Sequence, residues 1–107
     1  MAFERKDREE YTLLRVQGDL TIFEAAGIHA AMLEILDERG SLVLDLKEVA
    51  TCDAAGVQLL CAARKTASEE PSLFQVSEVS NAVLDALDRS GVDPRDALGA
   101  DWEPCED

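Results

Sequence analysis

The densest apolar run bounded by polar residues is Leu42-Val43-Leu44-Asp45-Leu46, in which four of five positions are apolar. A run of that length predicts a buried strand, covered on both faces as in a parallel sheet. Tyr11-Thr12-Leu13-Leu14-Arg15-Val16 predicts an earlier strand closed by Gly18, and a short strand around Phe3 pairs with it as an antiparallel hairpin. Between these strands and the central one, Leu20 to Glu38 reads as a helix. Its packed face is taken by Ile22, Ala25, Ala26, His29, Met32, Leu33 and Leu36 at three-and-four spacing. Thr21 is the expected N-cap with Glu24 as its capping-box partner, and Gly40 is the stop. A second helix is expected from Ala54 to Ala67, ended by Glu70-Pro71, with Val57, Leu60, Cys61 and Arg64 on one face and Ala63 and Ala67 beside it. Leu73-Phe74-Gln75-Val76 reads as a short strand. Ser80 caps a last helix carrying Val83, Leu84 and Leu87, Gly91 ends it, and Val92 makes the C-terminal apolar contact. Beyond Pro94 the pattern is less regular. The alternation of strand and helix implies an α/β fold, with right-handed crossovers and a mainly parallel sheet against helices.

Asp53-Ala54-Ala55-Gly56 joins the central strand to the second helix. Asp53 is a good N-cap, because its carboxylate accepts from the free N–H groups of the first turn. Such a strand-to-helix corner exposes backbone donors and the positive end of the helix dipole, and it is where an α/β sheet places its working surface. Here two alanines line it. The bland reading of Ala54 and Ala55 is helix-start packing, which is compatible with partner binding elsewhere.

A length of 107 residues supports one domain with one core. The longest unbroken apolar run, Leu59 to Ala63, is far short of the roughly 20 residues a membrane helix needs. The opening MAFERKDREE lacks the apolar stretch of a signal peptide, so a cytoplasmic location is expected. Cys52, Cys61 and Cys105 form no CxxC pair and are expected to be reduced thiols. His29 is the only histidine, so no metal site is expected. The formal charge is −13, which repels nucleic-acid backbones and anionic lipid. The last 23 residues hold eight acids and two bases. They read as a solvated end or as an arm that meets a basic partner. Trp102, within that stretch, either folds back on the domain or anchors an interface.

Candidate chemistry is sparse. There is no GxxxxGK[ST] loop, no GxGxxG and no GxSxG elbow. Asp45 and Asp53 can be drawn as a carboxylate pair, but Asp53 has a capping role and Asp45 lies inside a strand. Cys52 precedes a helix start and can be drawn with His29 as a nucleophile pair, yet no spacing supports it and a buried inert cysteine is the better reading. The chain is read as no enzyme, with no cofactor.

The segments GDLTIFEAA (Gly18 to Ala26), LVLDLKEVATCDAAGVQLL (Leu42 to Leu60) and SNAVLDALDRSGV (Ser80 to Val92) resemble the STAS domain. That family comprises bacterial anti-sigma-factor antagonists, cytoplasmic tails of sulfate transporters and small accessory subunits of bacterial lipid ABC transporters. The resemblance runs from about Phe3 to Asp96. Its most specific part is a DLxxVxxxDxxG pattern at Asp45, Leu46, Val49, Asp53 and Gly56. It implies a four- to five-stranded, mostly parallel sheet with an N-terminal antiparallel hairpin strand and three to four helices. The domain would span 1–98, followed by an acidic C-terminal tail at 99–107. In the family the turn usually reads D-S-S-G or D-T-A-G, and the hydroxyl after the Asp is phosphorylated by a partner kinase. The matching residue is Ala54, a degenerate phosphorylation site. A family loop of the form G-E-L-D is here Gly18-Asp19-Leu20-Thr21, with the acid displaced to Asp19. The resemblance implies a non-catalytic regulatory module that binds a partner protein through Asp53, Ala54, Ala55, Gly56, Asp19 and Thr21. The partner would be an anti-sigma kinase, a transporter ATPase or a chemotaxis regulator, and the module a monomer or weak homodimer. The alternatives are phosphorylation at Thr51 or Ser41, and a domain that binds a small ligand such as a nucleotide or lipid.

Overall fold

The computed structural model describes residues 3–66, 74–99 and 102–104. Strands β1 (Phe3–Asp7) and β2 (Thr12–Leu20) form an antiparallel hairpin, with Phe3 opposite Val16 and Asp7 opposite Thr12. Then follow α1 (Ile22–Arg39), β3 (Leu42–Cys52), α2 (Ala54–Thr66), β4 (Phe74–Val79), α3 (Asn81–Arg89), α4 (Pro94–Leu98) and the two-residue β5 (Glu103–Pro104). The sheet order is β1-β2-β3-β4-β5, and every pairing after the first is parallel. The expected end of the second helix at Glu70-Pro71, and the positions of Ala67, Leu73 and Cys105, lie outside the described residues. The strand expected to open at Leu73 is described from Phe74 and runs on to Val79.

Strands that follow one another in sequence and in space, joined by right-handed crossovers, put their helices on one face of the sheet. Burial agrees. Thr12, Leu14 and Val16 of β2 are buried while Leu13, Arg15 and Gln17 are less so, and in β4 Phe74 and Val76 are buried but Gln75 is exposed. The expectation that β3 is covered on both faces is therefore corrected. Leu42, Leu44 and Leu46 face the helices, whereas Val43 stays half-buried. On the bare face Asp45 is only 5% exposed. Arg15 Nε lies 3.2 Å from one of its carboxylate oxygens, and the Lys47 N–H donates to the other at 3.0 Å. β3 also runs six residues beyond the apolar stretch, to Cys52. Among the described residues its last part pairs only with β2, through Gly18 to Val49, Asp19 to Thr51 and Leu20 to Cys52. That overhang is solvated on one side and mixes Lys47, Glu48 and Thr51 with Val49, Ala50 and Cys52, so it carries no apolar strand signal. Register shifts interrupt this pairing on either side of Gly18, whose φ of 78° suits the kink.

The core under the sheet joins Leu14, Leu20, Ile28, Met32, Ile35, Leu44, Leu60, Phe74 and Leu87, all essentially inaccessible. Burying each such side chain contributes about 1.5–3 kcal/mol. α2 packs between α1 on one side and α3 and α4 on the other, and it buries Val57, Leu59, Leu60 and Ala63. α1 is turned relative to the face read from the sequence. Its buried positions are Ile28, Met32 and Ile35, flanked by half-buried Ala25, Ala31 and Leu36, while Ile22, Ala26 and Leu33 are exposed. Apolar residues on both sides of this helix hid the true stripe.

Helix ends follow the expected residues more than the expected bonds. Gly40 closes α1 in the left-handed region at φ 75°, donating to the Leu36 carbonyl. Val92 donates to the Leu87 carbonyl and packs on the core, as the C-terminal contact requires. Neither Thr21 nor Ser80 makes a side-chain cap. Past Pro94, where little regularity was legible, Asp93 caps α4 by accepting from the Arg95 N–H at 2.9 Å. Trp102 then packs against the core, and Glu103 and Pro104 pair with Glu78 and Val79 of β4.

Candidate functional site

The corner between β3 and α2 is built around one carboxylate. Asp53 Oδ1 accepts from the Gly56 N–H at 3.0 Å, which is the α2 cap expected of it. Its Oδ2 accepts from the Ile22 N–H at 3.2 Å. Asp53 thus also satisfies a free donor at the start of α1, the task that Thr21 leaves undone. The Asp53 N–H donates to the Leu20 carbonyl at 3.3 Å, so three segments meet here: the end of β2, the start of α1 and the start of α2.

The N–H groups of Gly56 and then Ile22 favour the charged form and hold the Asp53 carboxyl below its ordinary value of 3.8. A depressed carboxyl stabilises the fold fully above its unfolded value and loses that contribution as pH falls through the folded one. Between about pH 5 and pH 2 the wild type is therefore expected to lose more thermal stability than an Asp53→Asn variant. Equal acid slopes in melting curves would show that this carboxylate is not coupled to folding.

Gly56 is buried because the backbone closes tightly at this point. A Cβ there would collide with the Leu20 carbonyl oxygen and would lie 2.9 Å from Cys52 Sγ. Its place in the pattern is thus steric. Ala54, in contrast, is exposed, and Asp53 and Ala55 are half-buried. Asp19 and Thr51 sit opposite each other in the β2–β3 overhang, and the exposed Thr51 hydroxyl donates to Asp19 Oδ1 at 2.6 Å. Thr21 is half-buried, and its carbonyl receives the Glu24 and Ala25 N–H groups. The residues predicted from sequence therefore do converge. Ser41 is not among them, since it precedes β3 at the other end of the sheet.

Two neighbours were not foreseen. Ile22 and Phe23, at the start of α1, are 67% and 91% exposed. The sequence pattern places Ile22 on the packed face of α1; its one clue to the contrary is that the helix carries more apolar residues than one face holds. Beside Ala54 lies a shallow cleft of about 280 Å³ lined by Cys52, Asp53, Ala54, Ala86, Arg89 and Ser90.

The cysteine at the corner is not an activated nucleophile. Burial, and secondarily the Asp53 charge, push the Cys52 thiol up to about 11, so the thiolate is scarce at neutral pH. Its Sγ lies 3.7 Å from the Asp53 carbonyl, while His29 Nε2 is buried without a hydrogen-bond partner among the described residues. The drawn cysteine–histidine pair does not form. Asp45 is engaged with Arg15 far down β3, so it makes no pair with Asp53. Among the described residues no cluster of three or more His, Cys, Asp or Glu side chains is arranged to hold a metal ion.

A hairpin-led, mostly parallel sheet with helices on one face and a capped Asp–Ala–Ala–Gly corner defines an α/β module of one sheet. The family model described as Mlab, STAS domain matches residues 3–98, and the chain belongs to the STAS domain family. Solved structures share the fold at low identity. An anti-sigma-factor antagonist from Mycobacterium paratuberculosis is 20% identical, with a TM-score of 0.69, covering 83% of this chain and 76% of that one. The antagonist SpoIIAA in its unphosphorylated form is 16% identical, with a TM-score of 0.72 and coverage of 99% and 90%. A variant of RsbS from Moorella thermoacetica is 16% identical, with a TM-score of 0.73 and coverage of 99% and 89%. No curated protein matches the sequence. The family is generally non-catalytic.

Proposed function

We propose that the chain is a non-catalytic docking module of the anti-sigma-factor-antagonist kind, held permanently in the state that corresponds to the unphosphorylated one. The observation that supports this is the exposed Ala54 methyl group at the first position of α2, where the family pattern places a hydroxyl. A phosphate there would add about −1.5 to −2 charges to the docking surface. Alanine offers no acceptor, so a kinase cannot reverse the surface at this position. The contact would be made by Asp53, Ala54, Ala55, Asp19 and Thr21, with Gly56 shaping the turn. The partner class is an anti-sigma kinase, and the module would act in the cytoplasm. No described helix is long and apolar enough to cross a membrane.

A second reading has its own support, because the matching family model is of the Mlab type. In that reading the module is an accessory subunit of a lipid ABC transporter, and the same corner meets the transporter ATPase.

The test uses kinase and ATPase proteins encoded near the gene, titrated calorimetrically against the full chain. Ala54→Glu places a charge at the corner without disturbing the fold. It is expected to weaken the cognate complex at least tenfold, about 1.4 kcal/mol. Ala54→Ser, incubated with a cognate kinase and ATP, is expected to gain one phosphate by intact mass while the wild type gains none. Unchanged affinity of Ala54→Glu removes the corner from the interface. Binding to the ATPase and not to the kinase selects the second reading.

A further inference from the structure

Among the described residues nothing packs on the outward side of α1. Phe23, Ala26, Gly27 and Ala30 point away from the core, with Ile22 and Leu33 along one margin, and all six are exposed. Over the first three turns of this face Glu24 is the only charged residue at its edge. Gly27 is the most telling member. A mid-helix glycine destabilises a helix relative to alanine, and an added Cβ at this position would meet nothing within 4 Å. The fold itself therefore gives no reason for glycine. Small residues that leave a helix backbone bare, beside a large apolar side chain, suit close approach by a second helix, with Phe23 as the anchor.

Charge identifies the occupant. Glu24 borders the face, and Glu34, Asp37 and Glu38 continue it toward the C-terminal end of α1. Arg5 reaches Glu34 at 3.9 Å and Glu38 at 3.3 Å, but Glu24 and Asp37 form no ion pair among the described residues. Two copies meeting through this face would each bring these four acids and a net charge of −13 to one interface. An anionic lipid surface is repelled for the same reason.

We infer that the outer face of α1 is a second docking surface, and that it receives an α-helix of a different protein whose apolar stripe is bordered by lysine or arginine. This goes beyond the corner described above, and the two surfaces can be tested apart.

The full chain is expressed in its host cell with p-benzoylphenylalanine in place of Ala30, and separately in place of Ala54, and the crosslinked sites are mapped by mass spectrometry. Position 30 is expected to crosslink to a basic helical segment of another protein. That segment, made as a synthetic peptide, is titrated against the wild type, Phe23→Asp, Gly27→Ala and Gly27→Leu at low and at high salt. Each substitution is expected to weaken binding, at least tenfold for Phe23→Asp and Gly27→Leu, and the wild-type affinity is expected to fall as salt rises. Gly27→Ala carries a signature that no folding defect reproduces: its melting temperature rises while its affinity drops. Crosslinking of position 30 to a second copy of the chain, to lipid or to nothing overturns the inference, as does wild-type affinity in the Gly27 variants. Crosslinks at position 54 alone would leave the corner reading standing, and crosslinks at position 30 alone would do the reverse.

Discussion

Gly56→Val is expected to destabilise the fold by about 3 kcal/mol or more, a loss of roughly 10–20 °C in melting temperature for a domain of this size. The obstacle is backbone, not a side chain that can turn away. Any Cβ at position 56 meets the Leu20 carbonyl oxygen, and it is further hemmed by Leu20 Cγ at 3.0 Å and Cys52 Sγ at 2.9 Å. Relief requires the first turn of α2 to lift from the end of β2. Lifting it would strain the Asp53 N–H bond to Leu20 and the Asp53 bond to Ile22 together. Gly56→Ala should show the same effect in reduced form. Thermal or urea unfolding measures both, and a melting temperature within two degrees or so of wild type would mean that the corner is looser than described.

Arg64→Ala is expected to cost about 2–3 kcal/mol and to release the C-terminal segment. This guanidinium, half-buried between elements, donates through Nη1 to the Phe74 carbonyl at 2.9 Å and through Nη2 to the Leu98 carbonyl at 2.8 Å. It also stacks over the Phe74 ring at 4.4 Å. One side chain of α2 thus joins the start of β4 to the end of α4. Gly99 is packed so closely on it that an added Cβ would lie 2.7 Å from Nη2. Lysine lacks the planar fork that aims a separate nitrogen at each carbonyl, so Arg64→Lys should recover only part of the loss. Trp102 is the only tryptophan and shares a groove with Gly99 and Arg95. Its fluorescence should shift to the red in Arg64→Ala ahead of global unfolding. An unshifted spectrum with full stability would show that the segment is held without the arginine.

The sheet and most of its helices were legible because each element carries its own local signal. The apolar stretch Leu42–Leu46, the Gly40 stop and the Asp53 cap each act within a few residues of themselves. The family pattern could be read for the same reason, since Asp53 and Gly56 are spaced by one helical turn. What escaped notice depends on distance. The bond from Asp53 to the Ile22 N–H spans 31 residues, and nothing local announces it. Arg64 looked like one member of a helix face because its partners, Phe74 and Leu98, lie 10 and 34 residues away. The overhang of β3 was missed because a strand pairing on one side in water can be polar. The buried stripe of α1 was misread for the opposite reason. Apolar residues there serve two sides, and periodicity alone cannot say which side meets the core.

The two borders of the sheet differ from each other in one practical respect. β1 presents Glu4, Arg5, Lys6 and Asp7 in succession, whereas β5 covers β4 only at Glu78 and Val79. The charged β1 rim is a poor template for another chain to extend in register. Even at high concentration the protein should therefore resist growth into fibrils by strand addition at β1.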